Sequence, residues 1–229
     1  MRRLLALLSL FLMLAGSLRA EQPVVVELYT SQGCSACPPA DRLLRDLAMR
    51  SDVIAIALHV DYWDYIGWAD SFADPRFTRR QKSYARAAGH GTVYTPQFVV
   101  GGTDHVVGTR PHELVERIAA HEALPETVSL EASRQGDVLH VEADGAAGPY
   151  VVQLVRILPS ATVEILSGEN AGHRLTYGRI ATDWQVIAEW TAAEPLALDV
   201  PLTGPEAAVV IVQQTGMGRI AAATEVAGN

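Results

Sequence analysis

Two cysteines, Cys34 and Cys37, are the residues of this 229-residue chain whose type and spacing point most directly to chemistry. They are the only cysteines in the sequence, and two small residues separate them. Such a pair can alternate between dithiol and disulfide, because a thiolate attacks a disulfide sulfur through a mixed disulfide. We interpret Cys34 as the candidate nucleophile and Cys37 as the thiol that resolves the mixed disulfide.

The residues around this pair predict a strand, a turn and a helix. An apolar run at residues 24–29 predicts a buried strand, and apolar residues at helical spacing follow Pro38. A helix that begins beside the cysteines brings its positive dipole end and its free N–H groups to Cys34, and both stabilise a thiolate. Gly33 and the small residues after Cys34 predict that this sulfur is accessible.

Further candidate residues lie at the end of the second predicted strand, residues 53–60, and just after it. A strand–helix–strand unit makes the two strands parallel, so their carboxyl ends meet at one edge of the sheet. This places His59, Asp61 and Trp63 near the cysteine pair. For His59 and Asp61 two roles stay open: acceptance of the resolving thiol's proton, and an equally plain role as a structural polar group. For Trp63 and its aromatic neighbours, packing is favoured over a substrate cleft.

The next segment predicts a second helix and a special turn. Asp74 and Pro75 form a helix start, since Asp caps the N-terminus and proline suits the first turn. Pro96 precedes an apolar run and therefore marks a strand entry or a special turn. We interpret the basic residues of the helix as a solvated face, with a lowered Cys34 pKa or recognition of a partner as the alternative. These residues are Arg76, Arg79, Arg80, Lys82 and Arg86.

The order β-α-β-α-β-β-α over residues 24–121, with C-x-x-C after the first strand, resembles the thioredoxin superfamily. In that fold a cis proline lies against the cysteine pair, and the resemblance assigns this place to Thr95-Pro96. It implies that Pro96 holds the substrate backbone beside the cysteines. Gly33 stands where ordinary thioredoxins have a tryptophan, so the resemblance does not fix the direction of electron flow.

Three runs resemble one family in particular, the secreted thioredoxin-like family known as domain of unknown function 1223. They are Glu27 to Asp41, His59 to Asp64 and Tyr94 to Gln97. The resemblance covers nearly the whole chain after the amino-terminal leader. It implies a thioredoxin-like fold and adds little chemistry, because that family is largely uncharacterised.

The second half of the sequence predicts short strands. Alternating or apolar runs, separated by Gly, Pro and Asp turns, recur from Val128 onward. We predict an α/β thioredoxin-like domain at residues 21–124 followed by an all-β, β-sandwich-like domain at residues 125–229. We interpret residues 168–173 as an ordinary irregular connection, with contact to the active site or to a partner as the alternative.

The first 20 residues are typical of a secretory signal peptide. Arg2 and Arg3 precede an apolar stretch, and small residues lead to a cleavage site after Ala20. The apolar stretch is shorter than the roughly 20 residues that a spanning helix needs. We therefore predict a periplasmic or secreted protein with no membrane attachment after cleavage; a retained anchor is the alternative.

The net charge of the chain and the small loop between the two cysteines exclude some classes of function. The chain has 18 Lys and Arg against 26 Asp and Glu, and an acidic protein is poorly suited to bind nucleic acid through its overall field. A disulfide across two residues closes a very small loop, so it stabilises the fold little. We predict an exported thiol–disulfide oxidoreductase acting on protein or small-molecule disulfides, with an unidentified redox partner. Its redox-active disulfide, Cys34–Cys37, is the only redox group expected, and no cofactor is predicted.

Two other function classes remain as alternatives. A metal carrier would bind copper(I) or zinc through Cys34 and Cys37, with His59 or His90 as a third ligand. Four-ligand zinc is disfavoured because the sequence has no second cysteine or histidine pair at suitable spacing. A binding module whose second half carries the function is disfavoured because the cysteine pair is intact.

Overall fold

The computed structural model describes residues 22–228, so the predicted signal peptide lies outside the described residues. Of the described residues, 44% lie in strands and 18% in helices. Within this part of the chain, no helix combines the length and the apolar character needed to cross a membrane. The molecule is therefore mostly β rather than α/β.

The elements predicted for the first half of the chain are confirmed, with small shifts at their ends. They are β1 (Val24–Thr30), α1 (Pro38–Leu47), β2 (Val53–His59), α2 (Pro75–Ala87), β3 (Gln97–Val100), β4 (Asp104–Val107) and α3 (Pro111–Glu122). Their signals are local ones. For example, Oδ1 of Asp74 accepts a hydrogen bond from the N–H of Arg76 and caps α2, as the Asp74-Pro75 pair predicts.

The second half of the chain consists of strands. They are β5 (Val128–Gln135), β6 (Val138–Gly145), β7 (Tyr150–Glu164), β8 (Arg174–Trp190), β9 (Leu196–Pro201), β10 (Ala207–Gln214) and β11 (Ile220–Val226). β7 and β8 are longer than the sequence predicts, since β7 continues through Pro159. They form one antiparallel hairpin that pairs Tyr150 with Trp190 at its base and Glu164 with Arg174 at its tip.

Strands from both halves join in one mixed sheet. Among the described residues its eight strands have the order β11-β10-β7-β8-β2-β1-β3-β4. The halves meet where β8 lies parallel to β2, with Ala57 opposite Ile180. The Arg179 side chain donates a hydrogen bond to the carbonyl oxygen of Ala55 and strengthens this junction. β5, β6 and β9 form a separate three-stranded sheet.

One hydrophobic core is shared by the two halves. It contains Ile56 of β2 and Phe77 of α2 together with Ile157 of β7 and Ile211 of β10. A second core lies between the three-stranded sheet and the strands β7, β10 and β11, and a third lies beneath α1 and α3.

The predicted fold class, an α/β thioredoxin-like domain followed by an all-β, β-sandwich-like domain, is therefore wrong. The physical reason is that β8 extends the hydrogen-bonded ladder of β2, and apolar side chains from both halves fill the same core. The β-rich second half completes the sheet of the first half instead of packing beside it as a separate body.

Candidate functional site

Cys34 and Cys37 form a disulfide in the loop between β1 and α1, with their Cα atoms 5.4 Å apart. Cys37 is the residue that caps α1. Its N–H donates to the carbonyl oxygen of Cys34 at 3.1 Å, which folds the loop into a turn. The structure thus places the pair at the amino end of a helix.

The first turn of α1 offers few N–H donors to a Cys34 thiolate. Pro38 and Pro39 have no N–H, and the N–H groups of the next two residues donate to the carbonyl oxygen of Cys37. The expected stabilisation by free N–H groups is therefore largely absent. The positive end of the helix dipole remains as the helix's contribution.

Both cysteines are buried, with Cys34 1% and Cys37 0% exposed. A Cβ atom on Gly33 would lie 3.1 Å from Cδ1 of Ile66 and 3.2 Å from Cβ of Trp63. The missing side chain therefore lets the segment after β2 pack closely against the cysteine loop. The expectation that Gly33 leaves the sulfur of Cys34 accessible is wrong.

The loop between β7 and β8, residues 165–173, also lies against the cysteines. The carboxylate of Glu169 accepts hydrogen bonds from the N–H of Ser35 at 3.3 Å and from its hydroxyl at 2.7 Å. The side-chain amide of Asn170 donates to the carbonyl oxygens of Gln32 at 2.8 Å and Cys34 at 3.0 Å. The interpretation of residues 168–173 as an ordinary connection is therefore wrong.

The same loop is anchored to the segment that follows β2. The hydroxyl of Ser167 donates to the carbonyl oxygen of Gly67 at 2.5 Å. A Cβ atom on Gly168 would lie 3.3 Å from Cβ of Trp68, so the two backbones approach closely. The β7–β8 loop and the segment after β2 thus meet around the disulfide.

His59 is fully buried at the carboxyl end of β2, where it pairs with Thr30 of β1. Its Nδ1 lies 2.7 Å from Oδ2 of Asp70, and this carboxylate oxygen also accepts the N–H of Gln32 at 2.8 Å. Asp70 therefore ties His59 to the cysteine loop. Sequence reasoning missed Asp70, because it lies in an irregular segment with no spacing signal.

Asp41 is a buried carboxyl one helical turn after Cys37, and residues four apart on a helix are neighbours. Its Oδ1 accepts a hydrogen bond from the hydroxyl of Thr30 at 2.8 Å. Burial raises the pKa of Asp41 to about 6, with His59 and the Thr30 hydroxyl opposing that effect. The i+4 spacing from Cys37 was the signal that could have identified this residue.

Asp41 belongs to a group of residues with buried polar atoms that lack partners in the described part of the chain. Within residues 22–228, Oδ2 of Asp41, Nε2 of His59 and the hydroxyl of Tyr177 have no hydrogen-bond partner. The rings of His59 and Tyr177 are 5.0 Å apart. Asp41 and Tyr177 also line a cavity of about 190 Å³ between α1 and β8, which is flanked by three cations. The cations are Arg42, Arg45 and Arg174.

Asp61 lies on the α2 side of this region. Its Oδ1 accepts a hydrogen bond from the hydroxyl of Thr78 at 2.5 Å, and its N–H donates to the same hydroxyl oxygen at 3.3 Å. The structure therefore joins Asp61 to α2, whereas His59 and Asp70 are joined to the cysteine loop.

The peptide bond between Thr95 and Pro96 is cis. β1 and β3 are antiparallel with Tyr29 opposite Gln97, so Pro96 lies at the sheet edge where β1 leads into the cysteine loop. The hydroxyl oxygen of Thr95 accepts a hydrogen bond from Nε1 of Trp63 at 2.7 Å. Trp63 thus connects the residue before Cys34 to the turn at Pro96.

The side chain of Arg80 in α2 is only 10% exposed, so its interpretation as part of a solvated face is wrong. Its guanidinium donates two hydrogen bonds to the carboxylate of Glu27, from Nη2 at 2.8 Å and from Nε at 2.9 Å. It also donates to the side-chain oxygens of Gln153 and Gln213, at 3.1 Å each. Arg80 therefore ties α2 to β1, β7 and β10.

Among the described residues, no group of three or more His, Cys, Asp or Glu side chains is arranged to hold a metal ion. Nδ1 of His59, one of the predicted third ligands, is engaged by Asp70. The ring of His90 lies 5.6 Å from the ring of His105, which is on β4.

One family model and several solved structures are similar to this chain. A family model described as Protein of unknown function (DUF1223) matches residues 25–213. The crystal structure of protein AGR_C_4864 from Agrobacterium tumefaciens is similar, with 31% identity, a TM-score of 0.79, and coverage of 90% of this chain and 94% of that chain. HBP35 of Porphyromonas gingivalis shares the fold, with 13% identity, a TM-score of 0.58, and coverage of 90% and 74%. Curated proteins give no match.

Proposed function

The chain belongs to the DUF1223 family, and we propose that it is an exported thiol–disulfide oxidoreductase with a thioredoxin-like C-x-x-C mechanism. The observation that carries this proposal is the Cys34–Cys37 disulfide at the amino end of α1. A disulfide across two residues adds little to stability, whereas the helix dipole favours a thiolate there. Periplasmic or secreted localisation belongs to the same proposal.

In the proposed reaction the reduced protein donates two electrons to a substrate disulfide. The Cys34 thiolate attacks one substrate sulfur, the substrate S–S bond breaks, and the first substrate thiolate leaves and takes up a proton. The Cys37 thiolate then attacks the Cys34 sulfur, which releases the second substrate thiolate and forms the disulfide present in this structure. A partner dithiol returns the protein to the reduced form. If the protein instead oxidises substrate dithiols, the same steps run in the reverse direction.

Asp41 is our assignment for the acceptor of the Cys37 proton. It is buried one turn from Cys37, and its Oδ2 makes no hydrogen bond within the described chain. A carboxyl with a pKa of about 6 can both accept and return a proton near neutral pH. His59 acts as a positioning residue beside it, since Asp70 holds its ring. The earlier candidate Asp61 is engaged with Thr78 instead.

Thr95, Pro96 and Trp63 form the proposed substrate-side turn. Pro96 has no N–H. It therefore does not compete as a donor for the hydrogen bonds of a bound substrate backbone. The hydrogen bond from Trp63 to Thr95 fixes the turn relative to the residue that precedes Cys34. The substrate is a protein or small-molecule disulfide.

The test combines a reduction potential with trapping. The purified protein is equilibrated with defined ratios of reduced and oxidised glutathione. Alkylation and mass spectrometry then measure the reduced fraction of Cys34 and Cys37, which should show a single two-electron transition. The Cys37→Ala variant should accumulate mixed disulfides through Cys34 with an added disulfide substrate, because no thiol remains to resolve them.

The matched control is Cys34→Ala, which keeps Cys37 but removes the nucleophile and should trap little. Equal trapping by both variants, or none by either, would contradict the assignment of Cys34. Elemental analysis of the anaerobically reduced protein tests the alternative function, that of a metal carrier. Stoichiometric copper that is lost in Cys34→Ala would overturn the oxidoreductase in favour of that alternative.

A further inference from the structure

The hydrogen bonds between the β7–β8 loop and the cysteine loop form a latch, which we define as the side chains of Glu169 and Asn170. Asn170 is 6% exposed and donates to two carbonyl oxygens, whereas Glu169 lies at the surface and accepts from Ser35. The Cys34 residue beneath them is 1% exposed. A disulfide buried to this degree cannot meet a substrate sulfur until its cover moves.

The groups engaged by the latch are mostly main-chain groups. They are the carbonyl oxygens of Gln32 and Cys34 and the N–H of Ser35, together with one side-chain group, the Ser35 hydroxyl. When the latch leaves, these groups need other partners. A polypeptide backbone carries both N–H donors and carbonyl acceptors and can replace all three kinds of bond. A small disulfide without amide groups cannot.

We propose that residues 165–173 are a gate over the Cys34–Cys37 disulfide, latched by Glu169 and Asn170, and that a polypeptide substrate opens it by replacing the latch's hydrogen bonds. This inference rests on the proposed redox function and names its substrate class. The negative charge of Glu169 also opposes a thiolate at the neighbouring Cys34. Reduction of the disulfide therefore weakens the latch.

The first experiment measures access without any substrate. Dithiothreitol is added to the full chain, and alkylation with mass spectrometry measures how fast the disulfide is reduced. Asn170→Asp is nearly isosteric but replaces two donated hydrogen bonds by repulsion between oxygens. Because the closed gate loses both of these bonds, the reduction rate should rise about tenfold or more.

The matched control is Glu164→Gln, which lies at the tip of the same hairpin and faces Arg174 rather than the cysteine loop. It should reduce at the wild-type rate. Circular dichroism checks that each variant is folded, and Glu169→Ala, a change at the protein surface, serves as a second variant. Equal reduction rates in Asn170→Asp, Glu169→Ala and Glu164→Gln would overturn the gate.

The second experiment tests the substrate class. The reduced wild-type protein is mixed with a disulfide-linked pair of hexapeptides or with hydroxyethyl disulfide, and the exchange rates are compared. The wild type should prefer the peptide disulfide, and Asn170→Asp should reduce that preference by speeding the reaction with the small disulfide. Equal rates for both disulfides in the wild type would overturn the polypeptide assignment.

The two experiments separate the gate from the redox function. Exchange that proceeds in the wild type but is indifferent to the latch overturns the gate and leaves the oxidoreductase standing. Faster dithiothreitol reduction in Asn170→Asp, with no exchange by the wild type toward either disulfide, supports a cover over the disulfide. That result overturns the redox function and, with it, the substrate assignment.

Discussion

Burial of the Asp41 carboxyl favours its protonated form, because little water reaches the charge to solvate it. The folded-state pKa of about 6 lies above the ordinary value of 3.8. Between these two values the folded protein binds more protons than the unfolded chain, so this residue's contribution to stability falls as pH rises through that window. The buried Asp41 carboxyl thus destabilises the protein at neutral pH.

Replacement of Asp41 by Asn should therefore stabilise the protein at pH 7, by up to about 3 kcal/mol, because the amide needs no desolvated charge. The amide oxygen can still accept the Thr30 hydrogen bond. Urea unfolding at pH 4, 5, 6 and 7 measures the difference between the variant and the wild type. That difference should grow from pH 4 to pH 6, and a flat difference would contradict the assigned cause.

The same variant should slow the release of substrate from the mixed disulfide, because Cys37 loses its proton acceptor. Quenched-flow measurement in single-turnover conditions isolates this step. In the wild type the rate should rise through an inflection near pH 6, where the Asp41 carboxyl ionises. An unchanged pH profile in Asp41→Asn would show that another group accepts the proton.

At the residue scale, the sequence predicts that Cys34 and Cys37 can form a disulfide, because this pairing depends on spacing along the chain, and the structure has that disulfide. Asp70 could not be predicted, since its contacts with His59 and Gln32 depend on how an irregular segment folds. Asp41 lies between these cases. Its position relative to Cys37 is visible in the sequence, but its burial depends on β8, which packs against α1 from the other half of the chain.

At the scale of elements, two connections at one edge of the sheet hold each other through Trp63 and Thr95. The indole N–H of Trp63 has the Thr95 hydroxyl as its acceptor, and both residues are half-buried. A buried donor that loses its acceptor retains its desolvation penalty. This single hydrogen bond therefore couples the segment after β2 to the turn before β3.

Thr95→Val keeps the shape of the side chain but removes the acceptor, so it should destabilise the protein by about 1–2 kcal/mol. Urea unfolding gives the change in the free energy of unfolding. Thr103→Val is the matched control, because Thr103 is exposed in the β3–β4 turn and its hydroxyl is not part of this connection. Equal effects of the two substitutions would show that the Trp63 contact contributes nothing.

Element positions in the first half were predictable because their signals are short-range. Asp74 and Pro75 mark the start of α2 by the chemistry of a helix end, and the structure has that cap. The β7 strand shows the limit of such signals. Pro159 suggests a break, yet the hairpin continues past it, with Arg179 opposite in a backbone conformation of positive φ. Pairing along the rest of the hairpin outweighs the local preference.

At the scale of the whole molecule, the ion pair of Glu27 and Arg80 stands where the two halves meet. Glu27 is fully buried and accepts hydrogen bonds from Tyr29 at 2.9 Å and Tyr84 at 2.7 Å as well as from Arg80. The Arg80 guanidinium also lies 4.0 Å from the centre of the Trp184 ring on β8. One charged group thus contacts elements from both ends of the chain.

Arg80→Met should destabilise the protein by about 3–5 kcal/mol, because it leaves the Glu27 carboxylate buried without its cation. Arg79→Met is the matched control: Arg79 is the adjacent cation of α2 and is exposed. It should change stability by less than about 0.5 kcal/mol. Urea unfolding of both variants decides the point, and similar midpoints would contradict the role assigned to Arg80.

The sheet that joins the halves could not be predicted from the sequence. The alternation of residues within β8 indicates which face is buried, but it does not identify the neighbouring strand. Ala57 and Ile180, which lie opposite each other across the junction, are more than 100 residues apart. The predicted break between an α/β region and an all-β region follows composition, whereas the fold follows strand pairing.

The distance along the chain between the cysteines and their cover has a consequence for biosynthesis. Ser35 and Glu169 are 134 residues apart, and proteins are made from the amino end. The two thiols emerge from the ribosome well before the β7–β8 hairpin exists. Under the proposed gate, a disulfide that forms before the chain has folded needs no opening step, whereas in the finished protein the β7–β8 loop has to move first.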